Sequence, residues 1–220
     1  MEIIRYATLK PQPWRNGGGV TREVAGLHSA AAEAGAVPAS RAQEVPWQWR
    51  VSIAEVSKAG PFSLFPGMDR VLTVIDGELL LLSVDGVEHP LEKYRPFRFP
   101  GDADSAGALP TGDIRDLNVI TRTGAYRGYT SIVELSKKRA HPLFDGQLGI
   151  LLQGQATASH GTAGTGTEPG LGTSRPAVPD AGSEPLERYD AVVGSDTATP
   201  EILGRGFLAV VSIDPVADGS

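Results

Sequence analysis

The sequence predicts an all-β protein, a two-sheet sandwich or a barrel, on three observations. Short segments alternate apolar and polar residues with a period of two. Gly and Pro, 27 and 17 of the 220 residues, punctuate those segments throughout. No segment longer than ten residues holds a helical 3.6 period.

The clearest strand is Trp47–Val56, WQWRVSIAEV. Its alternation sends Trp47, Trp49, Val51 and Ile53 one way and Gln48, Arg50 and Ser52 the other. Next come 70–75 and 78–84, flanking Asp76-Gly77, and then 87–91 after Asp85-Gly86. Asp-Gly favours the type I′ hairpin turn, so these segments predict a three-stranded meander. Further strands are predicted over 2–6, 20–25, 97–99, 114–121, 129–135, 149–153, 189–193 and 206–213.

Two segments break the pattern. Residues 29–43 are rich in Ala and are interrupted by Gly35 and Pro38. In 154–185, 24 of 32 residues are Gly, Ala, Ser, Thr or Pro. Too little apolar surface remains there to offset ordering, so a disordered loop is expected. Both read as insertions into a compact scaffold. The strands group on either side of Gly124, which predicts a first barrel over 1–128 and a weaker second half over 129–220.

Composition narrows the function. The net charge of −6 and the lack of a Lys/Arg run exclude a phosphate-backbone partner. Cysteine is absent, so disulfides, thiolate metal sites and cysteine nucleophiles are excluded. The N-terminus has no apolar stretch of signal-peptide length, and the longest apolar run, Leu79 to Leu82, is too short for a membrane span. The cytoplasm is the expected compartment. The four histidines, His28, His89, His141 and His160, form no HxH pair, so neither a metal nor another cofactor is expected.

Polar candidates fall in four stretches. In 13–23, three consecutive glycines permit close backbone approach, with Asn16 either facing a ligand or holding a turn. In the second, Arg50 and Ser52 share a strand face, with Phe62 and Ser63 soon after. An arginine inside a lumen must be paired or bind an anion. In the third, Arg70 is placed to grip a carboxylate or to form a salt bridge. In the fourth, Asp116, Asn118 and Ile120 share one face, and Leu117, Val119 and Thr121 the other.

Taken in order, PWRNGGGVTREVAG, WQWRVSIAEVSKAGPFSLFPGMDRVLTVIDG, FRFPGDADSAGAL and GDIRDLNVITRTGAYRG resemble the HutD/Ves family and cover most of the first 128 residues. The resemblance implies a cupin-type (RmlC-like jelly-roll) barrel fold with two fused halves. It also implies a link to histidine utilisation, through a regulatory role in binding a pathway intermediate. It carries over Trp14, Asn16, Thr21, Arg22, Glu23, Arg50, Ser52, Phe62, Ser63, Arg70, Asp116, Asn118 and Arg122. Arg15, Ile120 and Thr123 stand where the family commonly has Lys, Met and Arg.

The expected function is therefore a non-catalytic protein that binds a small carboxylate. The alternative is a metal-free isomerase or lyase acting on a small organic acid, with His89 or His141 as base. The expected partners are the carboxylate and a second copy of the chain, with no nucleic acid and no membrane.

Overall fold

The computed structural model describes residues 1–28, 47–160 and 182–217. It divides into two compact units, one of Met1–Ala7 and Ile132–Val210, the other of Thr8–Ser131 and Val211–Ser220. In chain order the strands are β1 (Glu2–Ile4), β2 (Gln12–Pro13), β3 (Gly19–His28), β4 (Trp47–Val56), β5 (Gly60–Pro61) and β6 (Met68–Asp76). Then come β7 (Leu79–Val84), β8 (Val87–Glu92), β9 (Phe97–Pro100), β10 (Ser105–Ala108), β11 (Ile114–Arg122) and β12 (Tyr126–Leu135). The last are β13 (His141–Pro142), β14 (Gln147–His160), β15 (Glu184–Leu186), β16 (Ala191–Val193) and β17 (Pro200–Pro215). A 3-10 turn at Tyr6–Thr8 is the one helical element among the described residues. No helix there is long and apolar enough to cross a membrane.

In the unit built on Thr8–Ser131, a six-stranded sheet (β2-β3-β4-β11-β6-β9) packs on a four-stranded sheet (β5-β10-β7-β8). The core between them takes Ala54, Leu72, Val74 and Phe99 from the first sheet and Leu80, Leu82 and Leu91 from the second. The outcome is a two-sheet jelly roll rather than a sheet closed on itself. Burying one face of each sheet removes both apolar stripes from water, which is what the period-two pattern demanded.

The expected meander is only half formed. β7 and β8 make the hairpin, and Asp85 and Gly86 both take positive φ, 48° and 80°, as a type I′ turn requires. β6, by contrast, pairs with β11 and β9, while β7 pairs with β8 and β10 in the other sheet. The chain therefore changes sheets at Asp76-Gly77. Gly77 has φ of 80°, and a Cβ there would lie 2.8 Å from the Asp113 carbonyl oxygen and 2.8 Å from Ile114 Cγ2. The turn packs against the start of β11, whose Arg115 pairs with Asp76, and the chain passes from there into the other sheet.

In the other unit, β1, β16, β14, β17 and β12 form one sheet, with β13 on β17 and β15 on β14. Leu143, Leu151, Val192, Ile202 and Leu208 fill its core. β12 and β17 each run through both units. The disordered loop expected from residue 154 does not start there, because β14 continues to His160 and pairs Ala156 with Leu186 and Ala158 with Glu184. Ala156 and Ala158 are buried, a period-two apolar face that low-complexity composition concealed. Residues 161–181 and the insertion at 29–43 lie outside the described residues.

Gly77→Ala should destabilise the protein more than Gly86→Ala in denaturant unfolding. Both glycines have φ of 80°, which costs an alanine about 1–2 kcal/mol. Only position 77 adds an overlap, since nothing lies within 4 Å of a Cβ at Gly86. Equal losses would contradict the sheet-switch account.

Candidate functional site

The inner face of the six-stranded sheet is built by strand register. Ser52 on β4 lies opposite Glu23 on β3 and Asn118 on β11, and Arg50 lies opposite Ile120, which in turn faces Arg70 on β6. Alternation along each strand then places Ala54, Asp116, Leu72 and Val74 on the same face. One end of this face is sealed by the apolar core. The other opens as a cleft of about 550 Å³, lined by Trp14, Asn16, Thr21, Arg50, Ser52, Phe62, Ser63, Arg70 and Asn118 among others.

Two bulges shape the cleft. The register of β3 on β4 shifts between Glu23 and Ala25, so one extra residue, Val24, interrupts the pairing. That slip leaves Glu23 opposite Ser52 and Gly26 opposite Arg50. A Cβ at Gly26 would lie 3.2 Å from Glu23 Oε1, so the absent side chain leaves space for the carboxylate to lie over it. Glu23 Oε2 stands 3.0 Å from Arg50 Nε, a charge contact set off the hydrogen-bond axis. A second slip, between Leu27 and His28, skips Gln48 and turns Trp47 over. Trp47 packs on Met68, Ile120 and Phe65 instead of sharing the face of Trp49, Val51 and Ile53, which corrects the strict alternation expected of β4.

The triple glycine serves the cleft wall. Gly18 N–H donates to Asn16 Oδ1 at 3.0 Å, so Asn16 holds the turn as well as lining the cleft. A Cβ on Gly19 would collide with the Glu55 carbonyl oxygen and come within 3.2 Å of the Trp14 ring. Trp14 folds over that bare backbone, donates from Nε1 to Thr21 Oγ1 at 2.7 Å and meets Phe62 edge-on at 6.0 Å.

At the floor the two arginines differ. Arg50 is matched by Glu23; burial lowers its pKa and Glu23 opposes that effect. Arg70 is 3% exposed and has no carboxylate within ion-pair distance among the described residues. Its Nη2 donates to Asn118 Oδ1 at 2.9 Å and its Nη1 to the Ser63 carbonyl at 3.4 Å, while Nε has no hydrogen-bond partner among the described residues. The rings of Phe62, Phe65 and Phe99 lie 5.5, 5.3 and 4.8 Å from its guanidinium carbon. Cation–π contacts of this kind contribute about 0.5–2 kcal/mol each, less than a buried charge loses on desolvation. Burial accordingly pulls its pKa down to about 10, with Asp116 opposing the fall.

Asp116 lies behind Asn118. Asn118 Nδ2 donates to Asp116 Oδ1, and Oδ2 has no partner among the described residues. Burial raises this carboxyl to about 7, against the pull of Arg70 and the Asn118 hydrogen bond. Arg70, Asn118 and Asp116 thus form a buried chain with a cation at the cleft and a carboxyl at its inner end.

Four sequence candidates are not among the lining residues, one of them Glu23, which is held on Arg50. Asp116 is fully buried beneath it. Arg22 bonds Glu55 at 2.5 Å, in a charge cluster that also takes Arg115. Arg122 donates from Nε to Gln48 Oε1 at 2.9 Å. Of the histidines, His89 packs on Phe97 at 4.6 Å and is not part of the cleft lining, and His141 belongs to the other unit. Lining residues that sequence reasoning missed include Phe65, Ala54 and Ile120. Ala54 shares the alternation of Ser52, a signal that could have found it, and the same alternation places Ile120 on the face of Asn118 without marking it as a lining residue. The donor set at the floor, two arginines, a serine and an amide, does not fit a divalent cation. Among the described residues no group of three or more His, Asp or Glu side chains is placed to hold a metal ion.

This fold and this cleft define a cupin-type jelly-roll protein with an arginine-floored cavity. The HutD family profile matches residues 6–210, and the chain belongs to that family. Protein Ves of Citrobacter koseri is 37% identical over 124 residues, 54% of this chain and 58% of that protein's length. HutD from Pseudomonas fluorescens SBW25 (formate condition) is 26% identical, with a TM-score of 0.69 over 97% of this chain and 98% of that one. Ylba from E. coli, at 11% identity, shares the fold, with a TM-score of 0.65 over 99% of this chain and 92% of that one.

Asp116 makes stability depend on pH. Its folded pKa of about 7 exceeds the unfolded value of about 4, so between those values the folded state keeps a proton that the unfolded state loses. Its contribution to stability is complete below about pH 4, declines up to about pH 7 and is flat above, by up to about 4 kcal/mol. Asp116→Asn should remove that decline from denaturant midpoints measured across the range. A variant that tracks the wild type would contradict the assignment.

Proposed function

We propose that the chain is a non-catalytic cupin that binds a small carboxylate in this cleft, and that such binding serves regulation of histidine utilisation. One observation carries the reading: Arg70 is a buried cation at the cleft floor with no ion-pair partner among the described residues. A guanidinium offers parallel N–H donors that match a carboxylate, and a desolvated site strengthens that contact. Ser52 and Asn118 add polar groups beside it, and Trp14, Phe62 and Phe65 supply apolar wall. The regulatory setting rests on family membership. The net charge of −6 supports a small-molecule partner over a nucleic acid.

A metal-free isomerase or lyase is the second reading, favoured by the Asp116 carboxyl held near neutrality beside the site. It requires product formation by the purified protein and its loss in Asp116→Asn.

The binding reading is tested by thermal shift with formate, acetate and larger monocarboxylates, each paired with its neutral amide. At a hundredfold excess over Kd an acid should add about 2.7 kcal/mol, a rise of about 5–10 °C in a chain of this size. The amides should give none, and Arg70→Met should lose the rise. No shift with any acid at millimolar concentration, or an unchanged shift in Arg70→Met, would overturn the reading.

A further inference from the structure

The carboxylate reading leaves one part of the buried chain unexplained. Asp116 does not line the cleft, yet it is the acid whose charge acts on Arg70. Between them stands Asn118, which accepts from Arg70 through Oδ1 and donates to Asp116 through Nδ2. Asn118 is paired on both sides, with Ser52 on β4 and Leu72 on β6, so its backbone position in the sheet is fixed. Asp116 Oδ2 is buried and has no hydrogen-bond partner among the described residues.

We propose that the cleft takes up its carboxylate together with one proton, which is held on Asp116. The proposal rests on the carboxylate reading and deepens it. An ionised Asp116 tolerates full burial only because Arg70 is nearby. A carboxylate docked on Arg70 cancels that cation and adds a second negative charge on the far side of Asn118. Both changes favour the neutral acid at Asp116. The proton comes from solvent and settles on Oδ2, since Oδ1 already accepts from Asn118. No bond other than O–H forms, and no electrons move. By linkage, a ligand that raises the pKa of a group is bound more tightly when that group is protonated.

The charged groups facing this cleft are few, and Arg15, from the turn before β3, is among those that line it. Arg70 comes from β6, Arg50 from β4 and Glu23 from β3, and Arg50 and Glu23 pair with each other. The opposing sheet presents Leu80 and Leu82, and β9 presents Phe97 and Phe99. His28, at the end of β3, lies 3.4 Å from Glu23. Because burial sets Asp116 near 7, the free site changes protonation within the ordinary working range.

The test is a formate titration followed by NMR chemical shifts from about pH 6 to about pH 9, a range in which formate itself stays ionised. The association constant should be flat below about pH 7 and fall about tenfold per pH unit above it. Asp116→Asn should bind formate with no such slope, and His28→Gln should keep the wild-type slope. Calorimetry on the wild type in buffers of differing ionisation heat gives an independent readout, with uptake rising toward one proton per formate above about pH 7. Formate binding with a flat wild-type profile and no proton uptake overturns the proposal while leaving the carboxylate reading intact. A slope that survives in Asp116→Asn and vanishes in His28→Gln assigns the proton to His28 and also overturns it. No formate binding at any pH removes both.

Discussion

The site depends on one unneutralised charge: Arg70 is a guanidinium taken out of water between two sheets, with no carboxylate within ion-pair distance among the described residues. Few side chains are costlier to bury alone. The surrounding structure reads as a set of partial compensations. Three phenylalanine rings surround the cation, a carbonyl and an amide accept from it, and a carboxyl sits one residue further in. Each is weaker than a direct ion pair. A chain that only needed stability could place an apolar residue at this position, as its neighbours Val71 and Leu72 show.

Arg50 is the internal comparison. It stands on the same face, across Ile120 from Arg70. There the chain spends a β-bulge and a glycine to bring Glu23 onto the guanidinium. The fold can therefore neutralise an arginine in this cleft, and does so at one of two neighbouring positions. On the proposed reading, that difference makes Arg70 the end of the cleft that would accept an anion and the Arg50–Glu23 pair its polar neighbour.

Much of the cleft was legible in the sequence because strand alternation is a strict rule. Arg50 with Ser52, and Asp116 with Asn118, were placed on common faces by period alone, and the structure keeps those groupings. The rule failed where an extra residue enters a strand. No residue type announces the slip at Gln48, so Trp47 ended on the face opposite to that expected. Turn chemistry was likewise legible only locally. Asp85-Gly86 and Asp76-Gly77 look alike in sequence, but the second lies beneath β11, a long-range contact that a dipeptide does not encode. Depth was not legible either. Asp116 and Asn118 share a face, yet one lines the cleft and the other lies under it, because the opposing sheet covers Asp116.

The central claim is that Arg70, buried with no ion-pair partner among the described residues, takes an external carboxylate as its counter-charge. A crystal structure of the protein soaked with formate tests it most directly. The account predicts a carboxylate within hydrogen-bond distance of the Arg70 guanidinium, with Glu23 still on Arg50. A structure in which Arg70 is itself paired with Asp116, and the carboxylate lies elsewhere, would contradict it.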